Sequence, residues 1–455
     1  MATETLKRSN VANRLDRLPI SKLHIGVIVA LCLAYFFELG DLNTFAYTAP
    51  ALEHGRWHLS VGTVGFITSA SFLGMFLGAT IGGWFADKLG RKRSLLLMVA
   101  FYSVFSLLNA LAWDPISLGV FRFLTGVGLS SMTIVANTYI SEFFPAKVRG
   151  KFQALAMTFG LIGIPATSWV ARLIVPTAPW AWRLVFIWGA LGALFLILAR
   201  NMEESPRWHE IHGEYQQADA IMTRIEERVK AQFGSLPDPE APAANAPEVK
   251  GVPFGELFGK SYLGRTILLL AIWIFQTLGF YGFVSWVPTL LVAHGISLVS
   301  SLTYTSVQSL AAPIGALVAF ALADRFDRKW LLVIASLAAC VFGFVYGLTF
   351  EPALIMVFGF LAVMSIQFFA PIAYAYTPEL YPTEARASGM GFNYGIGRLV
   401  NILGPLIVAA LYAGSGYGSV FIYIGACWII VAVVSAIWGP RTSRRRLEQI
   451  SQTAV

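Results

Sequence analysis

The chain reads as an all-α membrane protein of twelve spanning helices, built as two pseudo-symmetric bundles of six. Three observations predict this. Of 455 residues, 56% are hydrophobic and 13% charged, with a mean hydropathy of +0.66, too oily for a soluble domain of this length. Twelve apolar segments are long enough to cross a bilayer. One offset of 237 residues superimposes five pairs of polar landmarks: Asp87 on Asp324, Arg91 on Arg328, Glu142 on Glu379, Pro145 on Pro382 and Arg149 on Arg386. Two homologous membrane halves are the signature of an alternating-access transporter.

The predicted spans fall near 25–50, 61–85, 94–112, 115–140, 152–175 and 183–200 in the first half. In the second they fall near 263–292, 300–323, 331–349, 352–376, 387–413 and 418–438. They are too long, and show too little in–out alternation, for barrel strands. Residues 1–22 form a polar, basic tail; the first span after it is too long for a signal-peptide core and is expected to be retained. Residues 23–200 and 263–440 are the two bundles, and 441–455 is a second basic tail. The polar stretch 201–262 joins them. Within it Ser205–Lys230 reads as one or two amphipathic helices, and the Pro/Ala-rich Ala231–Val252 as a mobile tether. A regulatory contact is the other reading of this stretch. Gly74, Gly78 and Gly82 form a ladder that admits a close helix neighbour, either as static packing or as a surface on which the halves slide.

The net charge is +8, but the basic residues sit in short turns and tails, which argues against nucleic acid. With the N-terminus inside, eleven Lys and Arg fall in the inner turns, against Arg56, Arg172 and Arg183 outside. This positive-inside bias predicts cytoplasmic termini and a cell inner-membrane location. Cys32, Cys340 and Cys427 lie in apolar segments without paired spacing and read as packing residues. No phosphate loop, enzyme motif or cofactor site is evident. His54 and His58 lack a third ligand, so no metal site is expected.

Ionisable groups inside spans cost roughly 2.5–3.5 kcal/mol each at mid-helix, so they mark function. Four stand out: Glu38 and Asp41 in the first span, Arg122 in the fourth and Arg398 in the eleventh. Glu38 and Asp41 share a helix face and are both candidate proton-coupling groups with Arg122, Asp41 first and Glu38 next in line. Asp41 and Arg122 lie roughly 13 and 10 Å below the outer surface on antiparallel helices. They are expected to face each other in a partly wet cavity, as a proton switch or as a permanent ion pair. Arg398, roughly 16 Å from the inner end, has no acid elsewhere on its helix. It reads as an anion anchor, or as a group neutralised by a carbonyl or by Glu38. Gln276, Tyr281, Gln308, Gln367, Tyr374, Asn393 and Asn401 could supply uncharged ligands, although each singly could be helix-packing glue. Trp273, Phe280, Tyr281 and Trp286 offer aromatic surface for a flat ring if they reach the cavity.

GGWFADKLGRKR (Gly82–Arg93) and RFLTGVG (Arg122–Gly128) resemble signatures of the major facilitator superfamily, a likeness covering nearly the whole chain. EESPRW (Glu203–Trp208) resembles the segment after helix 6 in its sugar-porter and organic-ion branches. FQTLGFY (Phe275–Tyr281) lacks residues that sugar porters carry in helix 7. GFYGFVSWVP and NYGIGRLVNILGP look more like niacin, synaptic-vesicle-protein-like and organic-anion transporters, where an Arg at the place of Arg398 attracts the substrate's charge. ELGDLNTFAYTAPAL (Glu38–Leu52) resembles the acidic helix-1 pattern of proton-coupled aromatic-acid carriers, with Leu39 in place of its Gly. The resemblance further implies a charge network between the halves at the inner gate, made by Asp87, Arg91, Glu142, Arg149, Asp324, Arg328, Glu379 and Arg386. The other reading of those charges is topology alone.

Together these readings predict a monomeric major facilitator transporter that moves a small organic acid, a monocarboxylate such as an aromatic acid or nicotinate, with protons. A neutral-sugar/proton symporter, an efflux antiporter and a non-transporting sensor are the rivals.

Overall fold

In the computed structural model, the described residues are 11–442 apart from 56, 239–253, 261 and 324. The first bundle comprises α2 (Lys22–His54), α3 (Val61–Leu89), α4 (Arg91–Ala110), α5 (Pro115–Phe143), α6 (Arg149–Ile174), α7 (Trp182–Ala190) and α8 (Leu194–Leu198), preceded by the short α1 (Val11–Asp16). Next come α9 (Pro206–Ile211) and α10 (Tyr215–Phe233), within the stretch read as amphipathic. The second bundle comprises α11 (Leu263–Val284), α12 (Val287–Ala293), α13 (Leu298–Ser309), α14 (Ala311–Leu322), α15 (Arg328–Leu348), α16 (Pro352–Glu379), α17 (Thr383–Val400), α18 (Gly404–Ser415) and α19 (Tyr417–Trp438). Among the described residues twelve helical stretches are long and apolar enough to span.

Polar caps start several spans. Ser60 accepts from the Thr63 amide at 3.2 Å, Asp114 from Ser117 at 2.6 Å and Asp327 from Lys329 at 3.0 Å. Each satisfies an amide the helix itself leaves free.

Four segments expected as single helices are broken: span 6 between Ala190 and Leu194, span 7 between Val284 and Val287, span 8 at Leu310 and span 11 between Val400 and Gly404. The last three breaks lie just before a proline: Pro288, Pro313 and Pro405. Proline has no N–H to give the carbonyl four residues back, and its ring crowds the preceding turn. Neighbouring helices override that preference for Pro50, Pro165, Pro371 and Pro378, which stay inside helices.

The glycine ladder of α3 packs on α5 within the first bundle. A Cβ on Gly78 would stand 2.2 Å from the Val127 carbonyl oxygen, and one on Gly126 of α5 2.3 Å from that of Ser71. The ladder is thus an internal seam of one bundle and not a sliding surface between halves. The bundles meet elsewhere. Ser168 and Ser306 share a hydrogen bond of 2.9 Å, Arg172 donates to Thr303, and Phe72 packs on Tyr281 with ring centres 4.7 Å apart.

The segment after the first bundle is docked, not suspended. Glu204 accepts from the Lys92 and Arg93 amides at 2.7 and 3.2 Å, capping the start of α4. Arg14 and Arg17 hold α1 against Glu226 of α10 at 2.8 and 2.5 Å. Most of the expected tether Ala231–Val252 lies outside the described residues.

Candidate functional site

A central cavity of about 140 Å³ lies between the bundles. From the first, α2 contributes Glu38, Leu39, Leu42 and Asn43, with Met75 from α3 and Met157 from α6. From the second, α11 contributes Trp273, Gln276, Thr277, Phe280 and Tyr281, α16 contributes Gln367 and Tyr374, and α17 contributes Tyr394 and Arg398. A mostly apolar hollow with a few convergent polar groups is the usual form of a small-molecule site.

Arg398 stands in the last turn of α17, where the helix's carbonyl end favours a cation. Its Nε donates to Tyr394 Oη at 2.8 Å, and its guanidinium lies 5.1 Å from the Tyr394 ring centre. Its Nη1 is buried without a hydrogen-bond partner. No carboxylate lies within ion-pair distance of it among the described residues. Tyr394 in turn packs edge-on to Trp273 at 5.3 Å and lies 5.7 Å from Tyr374. Trp273 is fixed by donating to Thr377 Oγ1 at 3.0 Å. The result is an aromatic wall with one cationic group set in it. Tyr394 was not singled out from the sequence, although it lies four residues before Arg398 on the same helix face.

The two acids of α2 part company. Glu38 lines the cavity and accepts from Thr133 Oγ1 at 3.0 Å. Asp41, three residues on, is rotated away and fully buried against α4, α5 and α7. Its Oδ1 accepts from Ser106 at 2.9 Å and Thr44 at 3.2 Å. Its Oδ2 makes no hydrogen bond and stands 3.7 Å from Arg122 Nη1. Gly189 makes this possible, since a Cβ there would lie 2.3 Å from Asp41 Oδ1. Asp41 and Arg122 meet as expected, but in a buried pocket beside the central cavity and not within it. Arg122 also donates to Ser71 Oγ at 3.3 Å and to Thr44 Oγ1 at 3.2 Å. It borders a small void of about 20 Å³ that shares Leu42, Asn43 and Tyr281 with the central cavity.

Other expected ligands separate. Gln276, Tyr281, Gln367 and Tyr374 line the cavity. Gln308 lies outside it, donating to the Ile355 carbonyl at 3.3 Å beside a second small hollow. Asn393 is buried away from the cavity, bonded to Tyr381 Oη at 3.0 Å and the Gly389 carbonyl at 2.7 Å. Asn401 is fully buried at the α17–α18 break. Of the four flagged aromatics, Trp273, Phe280 and Tyr281 reach the cavity, and Trp286 packs in the core.

At the charged end, the pairs among the described residues close within each half. Arg91 bridges Asp87 at 2.7 Å and Glu142 at 2.9 Å, and Ser205 donates to Glu142 at 2.6 Å. Arg328 pairs with Glu379 at 2.7 Å. Arg386 Nε donates to the Pro378 carbonyl at 3.0 Å. Arg149 is exposed and makes no ion pair among the described residues, and Asp324 lies outside them. Among the described residues these pairs brace each bundle internally.

Two six-helix bundles around a shared, mostly apolar cavity are the architecture of a major facilitator transporter. The chain belongs to the sugar (and other) transporter family, whose model matches residues 24–454. It is 46% identical to YyaJ of Bacillus subtilis (strain 168), provisionally designated a metabolite transport protein, over 96% of this chain and 97% of that one. It is 30% identical to the niacin transporter NiaP of Acinetobacter baylyi, over 97% and 99%. Among solved structures, the partially occluded inward-open xylose transporter XylE of E. coli superimposes with a TM-score of 0.74 at 18% identity, over 94% of this chain and 100% of that one.

Proposed function

We propose that the chain is a proton-coupled symporter of a small aromatic monocarboxylate in the inner membrane, with its charged end and both termini in the cytoplasm. The observation that carries this is Arg398: a guanidinium with an unpartnered Nη1, set among tyrosines and a tryptophan in the cavity between the halves. A planar fork suits a carboxylate, and aromatic faces suit a flat ring. The niacin transporter among the relatives supports the same class, since niacin is a ring carboxylate.

Asp41 and Arg122 form the proton switch. Protonating Asp41 removes the charge that holds Arg122 at 3.7 Å. The freed guanidinium can then turn toward the small void it borders, which is large enough for about one water. Asn43 and Tyr281 line both this void and the cavity, so the switch adjoins the substrate site without opening into it. Alternating access rocks one bundle against the other, which a site built from both bundles requires.

The test is uptake into proteoliposomes, acid outside, of benzoate, nicotinate, gluconate, xylose and glucose. Carboxylate accumulation that collapses when the pH gradient is dissipated is expected. Uptake of the sugars without the carboxylates would replace this reading with the neutral-sugar one.

A further inference from the structure

One acid of α2 belongs neither to the switch nor to the cavity. Glu53 stands in the last turn of α2, at the end of the bundles opposite the charged turns. Its Oε1 is buried without a hydrogen-bond partner, and it makes no ion pair among the described residues. It lies on the helix face turned to the second bundle. Ala46, two helix turns before it on that face, borders the small void together with Tyr281 and Ser285 of the second bundle. At this end the bundles are pressed together. A Cβ on Gly65 of α3 would stand 3.0 Å from the Pro405 carbonyl oxygen and 3.1 Å from the Ala409 Cβ. One apolar cluster crosses the seam, joining Ala49, Leu52 and Leu59 to Val408 and Ala409. Across it the titratable neighbour of Glu53 is Tyr412 of α18, a hydroxyl that stays neutral at ordinary pH. Neither α12 nor the outer turns of α3 carry an ionisable residue. Arg172 of α6 and Arg183 of α7 are engaged with Thr303 and the Ala110 carbonyl. His54 is exposed, and Arg56 lies outside the described residues.

We propose that Glu53 is a further proton-binding residue, which takes up a proton from the outer side before the outer ends of the bundles can close. Its orientation, and the rocking of bundle on bundle, rest on the reading given above. An ionised carboxylate carried into this seam loses its water and meets no donor or cation in return, which is costly. A protonated carboxyl enters at far smaller cost. When the outer ends part, the group meets water again and ionises. The closed state therefore binds one proton more than the open state. Acid favours the closed outer end, and rising pH favours the open one. For one proton the open-to-closed ratio rises by at most about tenfold per pH unit. Asp41 does not share this role, because it is buried within the first bundle and away from the seam.

The experiment is a spin-label distance measurement on the full chain in lipid nanodiscs. Labels go on Thr177→Cys and Ser415→Cys, both exposed at the outer ends of opposite bundles, with Cys32, Cys340 and Cys427 replaced by Ala. Melting and monodispersity serve as folding controls. With Glu53 intact, the share of the long distance should grow as the pH is raised from about 5 to about 8, across and above the ordinary carboxylate range. Glu53→Gln, a neutral isostere, should hold the short distance over that range. Glu53→Arg carries a charge it cannot shed and should hold the long one. A pH response in Glu53→Gln equal to that with Glu53 intact overturns the assignment, as does a short distance at every pH with Glu53 intact. If Glu53→Gln does not fold, Glu53→Arg decides: a short distance at every pH overturns the assignment. No substrate is present, so failure of the symport reading in the uptake panel is a separate outcome. Labelling of Ser415→Cys in whole cells by an impermeant maleimide checks the orientation independently, and protection there with labelling only after lysis would overturn an outer-side proton.

Discussion

Replacing Arg398 tests the anchor most directly. Its Nε is tied to Tyr394 at 2.8 Å and its Nη1 is unpartnered, so the guanidinium is oriented before a ligand arrives. A carboxylate received by the fork gains two charge-assisted hydrogen bonds, each worth about 1.5–3 kcal/mol. Arg398→Lys keeps the charge but makes one bond in place of two, so affinity should fall about 10- to 150-fold. Arg398→Gln loses the charge and both bonds and should fall about 100-fold at the least. Tyr394→Phe keeps the guanidinium but releases its orientation, so its effect should be smaller than that of Arg398→Lys. The assay is calorimetric binding of the monocarboxylate that the uptake panel selects, with melting of the ligand-free protein as the folding control. Binding by Arg398→Gln within threefold of the unaltered protein would falsify the anchor.

Asp41→Asn should abolish accumulation against a gradient while preserving exchange of internal for external substrate; continued accumulation under a pH gradient would move the proton site elsewhere. Glu142→Gln should destabilise the protein by about 1.5–3 kcal/mol, because Arg91 and Ser205 both bond to it. Glu379→Gln, at a more exposed pair, should cost about 1 kcal/mol or less; equal melting shifts would contradict the bracing argument. Gly78→Leu should prevent assembly of the α3–α5 seam, whereas Gly83→Ala, with nothing within 4 Å of a new Cβ, should fold normally; size-exclusion profiles distinguish them. Burial alone would raise the Glu226 carboxyl, but hydrogen bonds from Arg14 and Arg17 outweigh it and hold it below its usual 4.5. The α1–α10 clamp is therefore at full strength above that value and weakens as pH falls below it. Protease cleavage near α1 should accelerate on acidification, and a flat pH profile would assign the docking to apolar contacts alone.

Much of this protein was legible in its sequence because the deciding terms are local. Transfer of apolar side chains into lipid marks the spans, the 237-residue offset reveals the doubling, and the cost of a charge in a bilayer makes Glu38, Asp41, Arg122 and Arg398 conspicuous. The charge braces were legible as residues but not as partners. Tertiary structure decided how each helix is rotated and what it meets. A three-residue step on α2 sends Glu38 into the cavity and Asp41 into a buried pocket opened by Gly189, from a helix almost 150 residues away. Tyr394, unnoticed among many aromatics, becomes the group that sets the Arg398 fork. Gln308 and Asn393, no different in kind from Gln276, fall outside the cavity because their helices turn them toward Ile355 and Tyr381. Polarity and periodicity belong to a segment by itself, whereas rotation about the helix axis is fixed only by packing against segments distant in the chain.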